Sequence, residues 1–74
     1  MQLKYTLHAR KRMRRRHITE EMIVETITAP EIEYPSFDTT VASKTYGNRQ
    51  LGVVYTMEGN YRKIITVFWK GERV

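Results

Sequence analysis

Apolar positions are sparse at the start of the chain and dense at its end. In residues 7–16, LHARKRMRRR, Ala9 and Met13 lie one turn apart and give only a narrow apolar stripe. The segment lacks Gly and Pro and is rich in helix formers, so it predicts a helix over Leu7–Arg16. Thr6 is placed to cap it, and the arginines near its end suit the helix dipole. A second helix follows at once. Thr19 can cap it, Glu20 and Glu21 fall in its positive first turn, and Ile18 and Ile23 hold the positions of a hydrophobic staple. Met22, Ile23 and Ile27 form its apolar stripe. It should end near Thr28, because Pro30 disfavours helical geometry at Ala29. The joint His17-Ile18 is so short that the two helices must form a hairpin or corner.

After Pro30 the period changes from 3.6 to 2. Residues 31–35 (EIEYP) predict a short edge strand with Ile32 and Tyr34 on one face and Pro35 blocking extension. Residues 41–46 predict a second strand, and Gly47-Asn48 a turn. Residues 50–57 place Leu51, Val53, Tyr55 and Met57 on one face. Glu58-Gly59-Asn60 is another turn, and residues 61–69 (YRKIITVFW) are the strongest strand. Strict alternation puts Ile65, Val67 and Trp69 on one face of it and Arg62, Ile64, Thr66 and Phe68 on the other. A strand apolar on both faces is central or meets a partner, which leaves room for a homodimer. The expected architecture is α+β: one domain over residues 1–74, two N-terminal helices on a three- to four-stranded, mostly antiparallel sheet.

Length and composition narrow the functional classes. A chain of 74 residues buries only about 60% of its unfolded surface, so stability should be marginal. It has no cysteine, which fits a cytoplasmic location, and two histidines without a thiol argue against a structural zinc site. No apolar run approaches the roughly 20 residues of a membrane span, and the start lacks a signal-peptide pattern. No cofactor, metal or membrane partner is expected.

Charge changes the picture more. The net charge is +5, but residues 1–19 carry seven Lys/Arg and no acid, and residues 20–38 carry six acids and no Lys/Arg. Six of the ten residues in HARKRMRRRH are basic. Pairs such as Arg10/Arg14, Lys11/Arg15 and Arg12/Arg16 repel one another, costing the helix about 1–2 kcal/mol. A polyanion would relieve that repulsion, so a phosphate-bearing partner is expected. The plainer alternative is a solvated face partly neutralised by the acidic block beside it.

RNA can be cleaved without metal when a base accepts the 2′-hydroxyl proton, an acid protonates the leaving oxygen and cations stabilise the phosphorane. Histidine suits the proton transfers and arginine the phosphate. His8, Arg12 and Arg15 or Arg16 share a side of the first helix, so His8 and Arg12 are candidate catalytic residues. Thr66 joins them as a further candidate. Lys11, Arg15, Arg16, Lys44, Tyr46 and Arg62 are candidate nucleic-acid contacts; Lys44 and Tyr46 share a face of one strand and could bind phosphate and stack on a base. Each has a structural alternative. His8 could hydrogen-bond to the sheet, Arg12 and Arg16 could lie over apolar surface, Thr66 could be a β-propensity choice, and His17 reads as a residue of the interhelix joint.

The spacing of His8, Ala9, Arg12, Met13 and Arg16, followed by Ile18-Thr19-Glu20-Glu21, Ala29-Pro30 and a strand carrying Thr66, resembles the small bacterial domain of unknown function numbered 4258. That family is similar to the RelE/ParE-like toxins, whose fold is a helical hairpin on an antiparallel sheet. The resemblance implies a RelE-like, RNA-directed toxin, a metal-independent endoribonuclease whose RNA could be ribosome-bound and whose antitoxin would be a separate acidic chain. The superfamily also includes gyrase-directed proteins. A non-catalytic nucleic-acid-binding module, or a protein-interaction domain with an acidic partner, would account for the same charge pattern.

Overall fold

A computed structural model describes residues 2–72. The elements run β1 (Gln2–Tyr5), α1 (Leu7–Arg16), α2 (Glu20–Thr28), β2 (Ile32–Ser36), β3 (Thr39–Tyr46), β4 (Arg49–Glu58) and β5 (Tyr61–Trp69). Both helices begin where their capping threonines sit. Thr6 Oγ1 accepts from the Ala9 N–H at 3.0 Å, and Thr19 Oγ1 from the Met22 N–H at 3.1 Å. His17 closes α1 in a left-handed conformation at φ 57°, and the Ile18 N–H donates back to the Met13 carbonyl at 2.9 Å. His17 therefore shapes the joint, as its position between the helices suggested.

The sheet has five strands rather than three or four, in the order β1-β5-β4-β3-β2. It is mixed: β1 runs parallel to β5, and the other three pairings are antiparallel. The sequence pattern missed β1. It has only four residues, and its partner lies some sixty positions further on. β5 is an inner strand, between β1 and β4, one of the two placements its apolar faces allowed.

The helices cover one face of this sheet. Ala9 and Met13 of α1, Ile18, and Ile23 and Ile27 of α2 pack against Ala42, Leu51, Val53, Tyr55, Ile64, Val67 and Trp69. Leu3 and Tyr5 extend that core onto β1. Thr26 is the buried polar side chain here, and its hydroxyl donates to the Met22 carbonyl at 2.8 Å.

One irregularity corrects the expected facing of β5. Val54 pairs with Thr66, but its neighbour Tyr55 pairs with Ile64. Ile65 is the extra residue of a β-bulge. The bulge turns Ile64 into the core beside Val67 and Trp69. Thr66 and Phe68 lie on the opposite, helix-free side, with Val54 and Gly52 as their partners. Arg62 and Thr66 thus point to opposite faces, because strict alternation fails at the bulge. The helix-free side carries a shallow groove of about 100 Å³ lined by Ile32, Tyr34, Val41, Gly52 and Phe68. A Cβ on Gly52 would stand 2.3 Å from the Phe68 ring, so glycine is what lets that ring lie flat on the sheet.

Candidate nucleic-acid interface

The narrow stripe Ala9/Met13 sets which basic side chains of α1 turn inward. Arg12 and Arg16 lie beside it; Arg12 reaches β5, and both reach Glu72 just after it. Arg12 Nε donates to the Val67 carbonyl at 2.6 Å, and its Nη2 donates to Glu72 Oε1. Arg16 Nε lies 2.5 Å from Glu72 Oε2. The Trp69 N–H donates to Glu72 Oε1 at 3.1 Å, and the Trp69 indole donates to the Arg16 carbonyl at 3.1 Å. Glu72 is therefore held by two guanidiniums and a backbone N–H. The Arg12, Arg16 and Glu72 side chains are 16%, 34% and 14% exposed. Partial burial pushes the Glu72 carboxyl upward, but the Trp69 N–H and the two arginines outweigh it and hold the group below the usual carboxylate range.

Arg10 lies on the other flank of α1. Its guanidinium sits 4.3 Å from the centre of the Tyr5 ring, and Nη1 lies 2.8 Å from Glu20 at the start of α2. What remains on the solvent side is His8, Lys11, Arg14 and Arg15, all exposed. They are spaced at three and four residues, so their heads form one band along about two turns. His8 is exposed and, among the described residues, makes no hydrogen bond to the sheet.

The expected site residues thus separate. His8, Lys11 and Arg15 stay together on the outer face of α1. Arg12 and Arg16, expected as phosphate ligands, are engaged by Glu72 and β5. Thr66 lies across the sheet from α1, so it shares no surface with His8. Lys44 and Tyr46 share a face as expected, but that face is turned to α2. Lys44 Nζ donates to the Ala29 carbonyl just past the end of α2 at 3.1 Å. The Tyr46 hydroxyl lies 2.6 Å from the Glu25 carboxylate and 3.2 Å from the Met22 carbonyl. Burial and that Glu25 contact raise the Tyr46 hydroxyl above its ordinary pKa, which keeps it a donor. Arg62 lies 5.4 Å from the centre of the Tyr55 ring. The sequence reading missed Glu72 and the Trp69 N–H. The available signal was a lone acid following the last strand across a glycine, in a segment otherwise basic. It also passed over Arg14 as a contact, although its spacing from Lys11 places it in the band.

Among the described residues no group of three or more His, Cys, Asp or Glu is arranged to hold a metal ion, and no helix is long and apolar enough to cross a membrane.

The family model described as Domain of unknown function (DUF4258) matches residues 5–69. The chain belongs to the DUF4258 family. No curated protein and no solved structure shows significant similarity to it. The DUF4258 match begins at Tyr5 in β1 and ends at Trp69, the last residue of β5. It takes in both helices, the exposed basic band and the Arg12/Arg16 pair, and stops short of Glu72.

Proposed function

We propose that this DUF4258 protein binds RNA through its phosphates, using the outer face of α1. The observation that carries the reading is the division of basic residues on one helix. Arg10, Arg12 and Arg16 have acidic partners within the fold, whereas Lys11, Arg14 and Arg15 project into solvent in an unbroken band. Fold stability does not need that band, since like charges one turn apart lower it. Phosphates at backbone spacing would neutralise it, and contacts of this kind position a nucleic acid without reading its sequence.

The second reading is the metal-independent endoribonuclease implied by the likeness to RelE/ParE-like toxins, with an acidic antitoxin chain as its partner. Exposed His8 favours it. The imidazole lies one turn from Lys11 and on the same flank as Arg15, where it could exchange a proton with a phosphate-bound substrate.

Labelled single-stranded RNA, incubated with the protein in EDTA, tests both. A retarded band that the triple variant Lys11→Ala, Arg14→Ala, Arg15→Ala abolishes is the expected result. Cleavage lost in His8→Ala, with the retarded band kept, selects the endoribonuclease. Absence of both binding and cleavage overturns the RNA reading, and stoichiometric capture of an acidic protein by the same band would replace it.

A further inference from the structure

Two arginines, a backbone N–H and a carboxylate meet at one point between α1 and the turn after β5. Arg12 and Arg16 both reach the Glu72 carboxylate, Arg16 Nε from 2.5 Å, and the Trp69 N–H reaches it from 3.1 Å. Donors fixed this way do not distinguish a carboxylate from a phosphate. Each offers two oxygens in a plane to a guanidinium fork, and each accepts a backbone N–H. Arg12 is held in place independently, by its Nε bond to the Val67 carbonyl. Removing the carboxylate would leave that guanidinium where it is.

We propose that Arg12, Arg16 and the Trp69 N–H form a phosphate-binding site, and that Glu72 is its displaceable internal occupant. Three features favour displacement. The site holds two positive charges against one negative, so it attracts a second anion even when filled. Glu72 is carried on a short turn whose centre is Gly71 at φ 87°, a conformation glycine adopts freely and can leave freely. Among the described residues, that turn is tied by two backbone hydrogen bonds, Lys70 N–H to the Gln50 carbonyl at 2.8 Å and Glu72 N–H to the Trp69 carbonyl at 3.1 Å. The site also adjoins the exposed band in sequence and space. Lys11 precedes Arg12, and Arg15 precedes Arg16. A polyanion held on the outer face would bring one phosphate to the edge of the Glu72 site. The proposal deepens the RNA reading by assigning a site for one phosphodiester, and it makes Glu72 a brake on the affinity of α1.

Nuclear magnetic resonance of the ¹⁵N-labelled protein, titrated with inorganic phosphate, tests the site apart from RNA. The Trp69 amide is the reporter, and Glu72→Gln and Glu72→Ala are the variants. In both, phosphate should move the Trp69 amide with an apparent Kd lower than wild type by about tenfold or more, the gain from removing one competing charge-assisted contact. An unchanged Kd, or shifts confined to residues 8–15, overturns the proposal. Should the variants lose their fold, wild type decides: saturating single-stranded RNA must shift the Trp69 amide, and a spectrum in which it stays still overturns the site. If phosphate enters the variants while RNA binds no form of the protein, the site stands and the RNA reading falls. If RNA binds the outer band while phosphate never reaches Trp69, the RNA reading stands and the site falls.

Discussion

Arg12 carries a guanidinium whose forked donors match two acceptors at once, the Val67 carbonyl through Nε and the Glu72 carboxylate through Nη2. Its side chain is largely buried, so truncation to alanine leaves a carbonyl without its donor and a carboxylate with one guanidinium fewer. Arg12→Ala should cost about 2–3 kcal/mol in urea unfolding, the penalty for orphaning groups that are not free to turn to water. Lys11→Ala, Arg14→Ala and Arg15→Ala should each stay within about 0.5 kcal/mol of wild type, as exposed positions do. A stability loss at Arg12 no larger than at Lys11 would show that the pairing with β5 contributes nothing. Glu72 makes a second residue-level prediction. Its folded pKa lies below the ordinary 4.5, so it contributes stability that is present above that value and is lost as pH falls through the folded pKa. Glu31 and Glu58 are lowered too, by hydrogen bonds from Thr45 and from Tyr61 and Lys63, and they will add to acid sensitivity. The decisive measurement is therefore a difference. Wild type should be more stable than Glu72→Gln above pH 4.5, and the gap should close as pH falls below it. A gap that stays constant across that window would mean the carboxylate's charge is irrelevant to the fold.

Among the elements, the junction between β1, α1 and the β5 bulge is tied by a single side chain. Thr6 N–H donates to the Ile64 carbonyl at 3.0 Å and so extends the parallel pairing by one residue. Its hydroxyl donates to the Ile65 carbonyl at 2.8 Å and accepts the Ala9 N–H that starts α1. Thr6→Ala removes a helix cap and leaves the bulge carbonyl without its donor, a loss of about 1–2 kcal/mol. Thr6→Ser keeps both bonds and should recover most of it; equal loss in the two variants would assign the effect to the methyl group instead. The cap itself was legible in the sequence, since a threonine before a Gly-free and Pro-free run is a local signal. For the same reason α1, α2 and β5 fall where the pattern put them, and β2, β3 and β4 fall within two residues. β1 and the bulge were not legible. Gln2–Tyr5 alternates for too few residues to stand out, and its partner strand is remote. Nothing in Ile64-Ile65-Thr66 marks which residue is extra, since all three suit a strand. That single residue decided the face of Ile64 and Arg62, and with it whether Arg62 could share a face with Thr66.

Across the whole molecule the basic band could be read from composition, but the division of α1 into occupied and open arginines could not. It depends on Val67 and Glu72, which are 55 and 60 residues from Arg12. The fold places the acids asymmetrically. Glu20 and Glu25 of α2 face Arg10 and Tyr46, and Glu72 faces the inner side of α1. The outer side of α1 is left as the strongly positive surface, so the net charge of +5 understates the local field there. Two explanations of the proposed RNA binding then differ measurably. If attraction is diffuse, removing any cation lowers affinity alike. If phosphates seat on the band, each lost contact removes counterion release at that point. For single-stranded RNA that is about 0.7 in the slope of log K against log salt, so Lys11→Ala, Arg14→Ala, Arg15→Ala together should flatten the slope by about 2. Lys63→Ala is the matched control, because Lys63 is partly exposed but lies on β5, paired with Glu58 at 3.2 Å. Its slope should match wild type. Fluorescence anisotropy between about 50 and 200 mM salt resolves a difference of that size. A control variant that flattens the slope as much, contact for contact, would assign the binding to net charge and take α1 out of its role.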